Sequence, residues 1–254
     1  MSSRMLSLIR ANAAFDVSGT LPLVVDGDAH LARVLVFCRN LRRRGICSLF
    51  LEGLPLTLHA DLQRSGAAFR HVLRSAPDAD KVTSRADPFF DSVACQDLDN
   101  ARDIAHYSRV TWNQEEEYED DFLYILFLMK KFFVGADNTE LRPIVQQYET
   151  LAAETGDARF DICSSFLEDD NSRFDWALSE LIRSYGEHYR AGIDRDEMLE
   201  EEWATEGRFF VEGLALVRLA RIQGFRIETN YQFIPSLAIE TRSNTLSPDS
   251  WRNP

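Results

Sequence analysis

Hydrophobic positions recur at spacings of three and four along most of this chain, which is the period of an amphipathic helix and not of a strand. The most strongly patterned stretch runs from Ala204 to Ile239. Thr205 can cap a helix whose first turn carries Glu206. Phe209, Phe210, Val211, Leu214, Leu216, Val217, Leu219 and Ile222 then cover most of its circumference. Its charges, Arg208, Glu212, Arg218 and Arg221, fall within one half of the wheel, so this helix is expected to be a central post packed on several sides. Gly224 follows as a left-handed cap, with Phe225 and Ile227 folding back over the end, and Pro235 is expected to stop further regular structure.

Upstream, Leu31, Val34, Leu35, Cys38 and Leu41 predict a helix from Asp28 that stops at Arg42-Arg43-Arg44-Gly45. A turn around Gly53 and Pro55 leads into a helix at Asp61–Ser75. Beyond it, helices are predicted at Leu98–Val110, Glu115–Val134, Glu140–Thr155 (capped from Asp137-Asn138-Thr139), Phe160–Leu167, Phe174–Ala191 and Glu197–Ala204. Residues 1–27 read as weakly ordered and then extended at Leu21–Val25, and Arg226–Tyr231 is the other candidate strand. The fold class is mainly α, a multi-helix antiparallel bundle-like domain with at most one or two short strands. Pro77–Pro88 is the most linker-like segment. It separates a basic helical subdomain (1–76) from a main acidic helical domain (89–239) sharing the same core, and 240–254 reads as a flexible tail.

Composition narrows the function. The apolar fraction of 45% and charged fraction of 27% are those of a globular domain, and the longest apolar run, Phe122–Met129, is too short to span a bilayer. The N-terminus lacks the uninterrupted apolar segment of a secretion signal, and the four scattered cysteines suit a reducing compartment as buried apolar thiols, so a cytosolic location is expected. The net charge of −13 is uneven: residues 1–74 hold ten arginines and five acids, a net of +5, leaving −18 on the remainder. An acidic body repels nucleic acid and favours encounter with a basic protein surface. Neither a nucleic-acid partner nor a membrane partner is expected.

Catalytic signatures are missing. No phosphate-binding glycine loop and no G-x-S-x-G elbow occurs. Asp169-Asp170 lacks the DDxxD spacing of a magnesium-diphosphate site. Asp103-x-x-His106 places a carboxylate and an imidazole on one helical face, but a di-iron bundle needs that pattern twice, and His188 has Tyr185 where the second carboxylate belongs. No cofactor is expected. The densest local feature is Glu115, Glu116, Glu117, Tyr118, Glu119, Asp120 and Asp121, six acids in seven residues. As a helix start it complements the dipole, while its mutual repulsion exceeds what capping needs and equally fits a patch that faces a partner. A second cluster, Asp194–Glu202, contains Glu197, Glu200 and Glu201 and is followed by Trp203. Tyr118, Trp112 and Trp203, each beside acids, are candidate anchors for such a partner.

Thr205–Ile239 resembles the closing region of the bacterial Immunity protein 49 family of polymorphic-toxin systems. The residues that carry the likeness are the lead Thr205-Glu206-Gly207, Leu219-Ala220 before Gly224-Phe225, the alternating Phe225-Arg226-Ile227-Glu228 with Tyr231, and the exit Ile234-Pro235-Ser236-Leu237. The resemblance implies a helical, non-enzymatic antitoxin for a cognate toxin domain encoded nearby, in systems that include type VI secretion. Occlusion of that toxin's active site by an acidic surface is the expected mode, and a helical metal- or small-ligand-binding protein or enzyme with an inter-helix pocket is the alternative.

Overall fold

The computed structural model describes residues 2–254, apart from the side chains at 154 and 155. It is all-α, with 73% of residues helical and no strand among those described. The helices are α1 (Ser3–Asp26), α2 (Leu31–Glu52), α3 (Pro55–Leu73), α4 (Asp87–Ala94), α5 (Leu98–Tyr107), α6 (Glu119–Met129), α7 (Asn138–Thr155), α8 (Ala158–Glu168), α9 (Asn171–Asp194), α10 (Glu200–Ala204), α11 (Val211–Gln223) and α12 (Ser236–Glu240). One apolar cluster runs from Val17 to Trp251 and joins nearly every element.

The N-terminus departs most from expectation. Residues 3–26 form a continuous helix through Leu21–Val25, because Val17 and Val24 are fully buried in the core and packing overrides the local β preference. Among the described residues, α1 is the helix whose length of 24 residues and mean hydropathy of 1.2 suffice to cross a membrane. Its inner side packs along α2, and Leu8 and Phe15 face outward. The second candidate strand reduces to a single bridge between Tyr231 and Ile234.

α2 also runs past its predicted stop. Gly45 lies in mid-helix at the closest approach to α3, where an added Cβ would stand 3.1 Å from the Leu58 Cα. The glycine thus serves helix contact, and the left-handed cap is Gly53 (φ 65°), with Pro55 opening α3. The Asp137–Glu140 capping box forms as the sequence predicts.

α11 is the buried post, with Val211 and every residue from Gly213 to Ala220 inside the core. Gly224 caps it at φ 89°, and the Phe225 N–H returns to the Ala220 carbonyl at 2.9 Å. Its start is later than predicted. The Thr205 hydroxyl donates to the Glu201 carbonyl at 2.7 Å, closing α10, and a 3₁₀ turn separates it from α11. Pro235 opens the short α12 and does not end regular structure. The segment 240–254, expected as a tail, lies against α3: Gln63 bonds Asn244 and Leu246, and Trp251 is buried.

Candidate acidic interface

The acidic run divides into an outward and an inward set. Glu115–Glu117 form a turn ahead of α6, and the predicted helix begins only after Tyr118. Glu117 turns inward, leaving 9% exposed. Its carboxylate accepts the Ser84 N–H at 2.7 Å and the Asn113 N–H at 3.2 Å, and its carbonyl accepts the Trp112 indole N–H at 3.0 Å. These bonds fix the loop because a buried carboxylate needs donors, and they stack the inner acid under the outer ones. Glu115 and Tyr118 are left on the crest, Tyr118 with 79% of its surface exposed. Glu116 is exposed beside Arg85 at 3.2 Å.

Below the crest, the acids are engaged within the chain. Glu119 accepts a bond from Gln147. Arg159 at the start of α8 reaches Asp121 at 2.6 Å, Asp157 at 2.8 Å and Asp120 at 3.7 Å, and its guanidinium lies 5.4 Å from the Tyr124 ring centre. Burial alone would raise the Asp157 carboxyl, but the Arg159 bonds hold it below the usual carboxylate range.

A polar cavity of about 130 Å³ opens where the first turns of α4, α6, α8 and α11 converge. Asp87, Asp121, Tyr124, Arg159, Glu212 and Ser84 line it. The Tyr124 hydroxyl donates to Glu212 at 2.8 Å, and burial pushes both groups upward in pKa. Asp87 accepts from Arg42 at 2.8 Å, which lowers its pKa.

The second cluster is largely engaged elsewhere. Glu197 pairs with Arg195 at 3.3 Å on the surface, and Glu200 is exposed. Glu201 pairs with Arg43 at 2.8 Å, and half-buried Trp203 is covered by the Arg208 guanidinium at 5.0 Å. No hydrogen bond or ion pair joins the two clusters among the described residues. The arginine triplet, predicted to end a helix, distributes its charges inside the fold: Arg42 to Asp87 and Asp91, Arg43 to Glu201 and Glu206, Arg44 to Asp61. Asp103 pairs with Arg70 at 3.3 Å, and His106 bonds the Arg102 carbonyl at 2.8 Å. Among the described residues, no three His, Cys, Asp or Glu side chains gather as a metal centre requires. All four cysteines are buried and unpaired.

Sequence reasoning passed over Ser84, Asp87, Tyr124, Arg159 and Glu212. Glu212 did carry a signal, as the one acid within the apolar run Val211–Ala220. The convergence of four helix starts carried none.

Comparison with known proteins gives one family. The family model described as Immunity protein 49 matches residues 35–238, leaving α1 and the C-terminal segment outside the match. No curated protein and no solved structure matches the chain.

Proposed function

The chain belongs to the Immunity protein 49 family, and from that premise we propose that it binds and neutralises a cognate antibacterial toxin domain in the cytosol through the acidic face crowned by Tyr118. The family implies a non-enzymatic role. The observation that carries the surface assignment is a large aromatic side chain held 79% exposed by a loop pinned from beneath at Glu117. Aromatic anchors supply most of the energy of an interface, and a loop ordered in advance does not lose that entropy on binding. The acids around Tyr118 complement the basic cleft of a toxin that acts on nucleic acid, and occupying that cleft would close its active site.

Co-expression with the product of the adjacent gene tests this reading. The expected result is rescue of growth and a one-to-one complex on co-purification. Tyr118→Ala should weaken that complex by about 2 kcal/mol or more, some thirtyfold in Kd, without moving Tm. Absence of both rescue and complex defeats the immunity reading. A complex indifferent to Tyr118→Ala moves the interface elsewhere.

A further inference from the structure

The outer side of α1 consists of two halves that match each other head to tail. Leu6, Ala13, Val17 and Val24 face the core, so at about 3.6 residues per turn the side turned away is centred on Phe15, 78% exposed. Four residues either side of Phe15 stand small residues, Ala11 and Gly19. Seven either side stand apolar ones, Leu8 and Pro22, and eleven either side stand opposite charges, Arg4 and Asp26. All six are exposed. Those intervals belong to any helix face, but the residues on them do not. Reversing the direction of α1 about Phe15 lays small on small, apolar on apolar and cation on anion, which is the self-complementarity of a two-fold contact. Gly19 is a second, independent observation. Gly45, Gly66, Gly186, Gly192 and Gly213, the glycines inside other α-helices, each lie where an added Cβ would crowd a neighbouring part of the chain, whereas nothing stands within 4 Å of a Cβ at Gly19. Its φ is not left-handed, and glycine weakens a helix interior relative to alanine. Nothing inside the chain calls for glycine there, and a close approach from outside does. An open groove of about 630 Å³ runs past Gly19 between α1 and α2, walled by Phe15, Thr20, Ala32 and half-exposed Val36. A helical side chain covers the turn N-terminal to its own Cα, so in an antiparallel pair crossing at Phe15 each ring comes level with the other copy's Gly19.

We propose that this face is an antiparallel, two-fold contact between two copies of the chain, in which each Phe15 ring seats in the other copy's groove at Gly19 and each Arg4 pairs with the other copy's Asp26. The occupant is a second copy because the face complements itself. A membrane surface fits less well: anionic lipid attracts clusters of Lys and Arg, and the exposed charges of α1 are one cation, Arg4, against Asp16 and Asp26. A helix about 36 Å long and ~10 Å wide covers on the order of 400 Å² per copy. That is about half of the ~800 Å² per partner of a standard interface, so the dimer is a reversible one in the micromolar range or weaker. Because α1 lies outside the matched residues 35–238, the contact is independent of the immunity reading.

Sedimentation velocity of the full chain alone, from about 5 to about 500 μM at low salt, should show the average sedimentation coefficient rising towards that of a dimer. Phe15→Glu should keep the chain monomeric throughout. Gly19→Gln should raise the dimer Kd about tenfold or more. Its Tm should stay level or rise, because glutamine is the better helix former and its Cβ meets nothing in the monomer, whereas a glycine needed by the fold would lower Tm on replacement. Arg4→Glu should weaken the dimer about fivefold, and adding Asp26→Arg should restore it, since the exchanged charges face each other again. Both changes suit the dipole at their end of α1, so folding is spared. A chain that stays monomeric across that range overturns the proposal, as does a dimer indifferent to Phe15→Glu and Gly19→Gln, or one that the charge exchange does not restore. Pelleting with phosphatidylglycerol vesicles that Phe15→Glu abolishes, without self-association, gives the face to a membrane and overturns it equally. No toxin enters these measurements, so each of those failures leaves the immunity reading standing.

Discussion

His59 is 1% exposed on α3, with Nδ1 2.8 Å from the Ser243 hydroxyl and Nε2 without a partner. Burial, and after it the charge of Arg218, lowers its pKa from 6.5 to about 4. The folded protein therefore holds a neutral imidazole where the unfolded chain takes up a proton. Above pH 6.5 this contribution to stability is complete; it falls as pH drops from 6.5 towards 4, by about 3 kcal/mol at the foot of that window. Asp91 works in the opposite sense, since burial pushes its carboxyl up to about 6 and its contribution is lost as pH rises through that value. Comparison with His59→Asn, which keeps a polar atom near Ser243 but cannot titrate, separates the two. Between pH 6.5 and 4.5 the variant should lose less Tm than wild type, and equal slopes would assign the acid sensitivity to another group. None of this was readable in the sequence, where His59 is one of five scattered histidines. Glu117 makes the same point. Nothing in a run of three glutamates says which will turn inward, because the choice is made by two N–H donors, one of them 33 residues upstream.

At the level of elements, the apolar period located most helices, while their ends depended on contacts that it does not contain. Gly45 after three arginines has the form of a helix stop, yet the same glycine is required where two helices touch. Gly45→Val should cost about 3 kcal/mol by forcing α3 away at Leu58 and Asp61, readable as a lower urea midpoint with an unchanged m value. A variant as stable as wild type would mean that the contact yields. Arg218 shows a second way that charge misleads. It reads as surface on the α11 wheel but is 5% exposed, donating to the carbonyls of Ile239 at 2.7 Å, Ala238 at 2.9 Å and Thr241 at 3.1 Å. Burial, and after it the neighbouring Arg221, lowers its pKa to about 10. Those carbonyls belong to the segment that carries 240–254 onto α3. Arg218→Met should leave them unsatisfied, lower stability by about 3 kcal/mol and open 240–254 to proteases before the rest of the chain. Cleavage with wild-type kinetics would show that Gln63 and Trp251 hold the segment unaided.

For the whole molecule, net charge is a poor guide to which acids a partner can meet. The basic N-terminal part and the acidic remainder are not separate fields: Arg42 and Arg43 spend their charge on acids of that remainder, and only acids left over from such pairs can steer an encounter. Glu115, Glu116 and Glu201 look alike in sequence, and the fold divides them by task. Glu115 and Glu116 stand on the Tyr118 crest, one without an ion-pair partner among the described residues and the other in an exposed pair with Arg85, which contributes little to stability. Glu201 pairs with Arg43, whose side chain is largely buried. Reversal of the two classes should therefore register in different measurements. Glu115→Lys with Glu116→Lys should leave Tm nearly unchanged, slow association with the toxin about tenfold at low salt and flatten the dependence of the on-rate on ionic strength. Glu201→Lys should set a cation against Arg43, lower stability by about 1–3 kcal/mol and leave the on-rate and its salt slope as in wild type. Stopped-flow association across a salt series, with thermal melts of each variant, resolves the two. If Glu201→Lys slows association while the crest reversal does not, the toxin approaches along α10, and Tyr118 is no anchor.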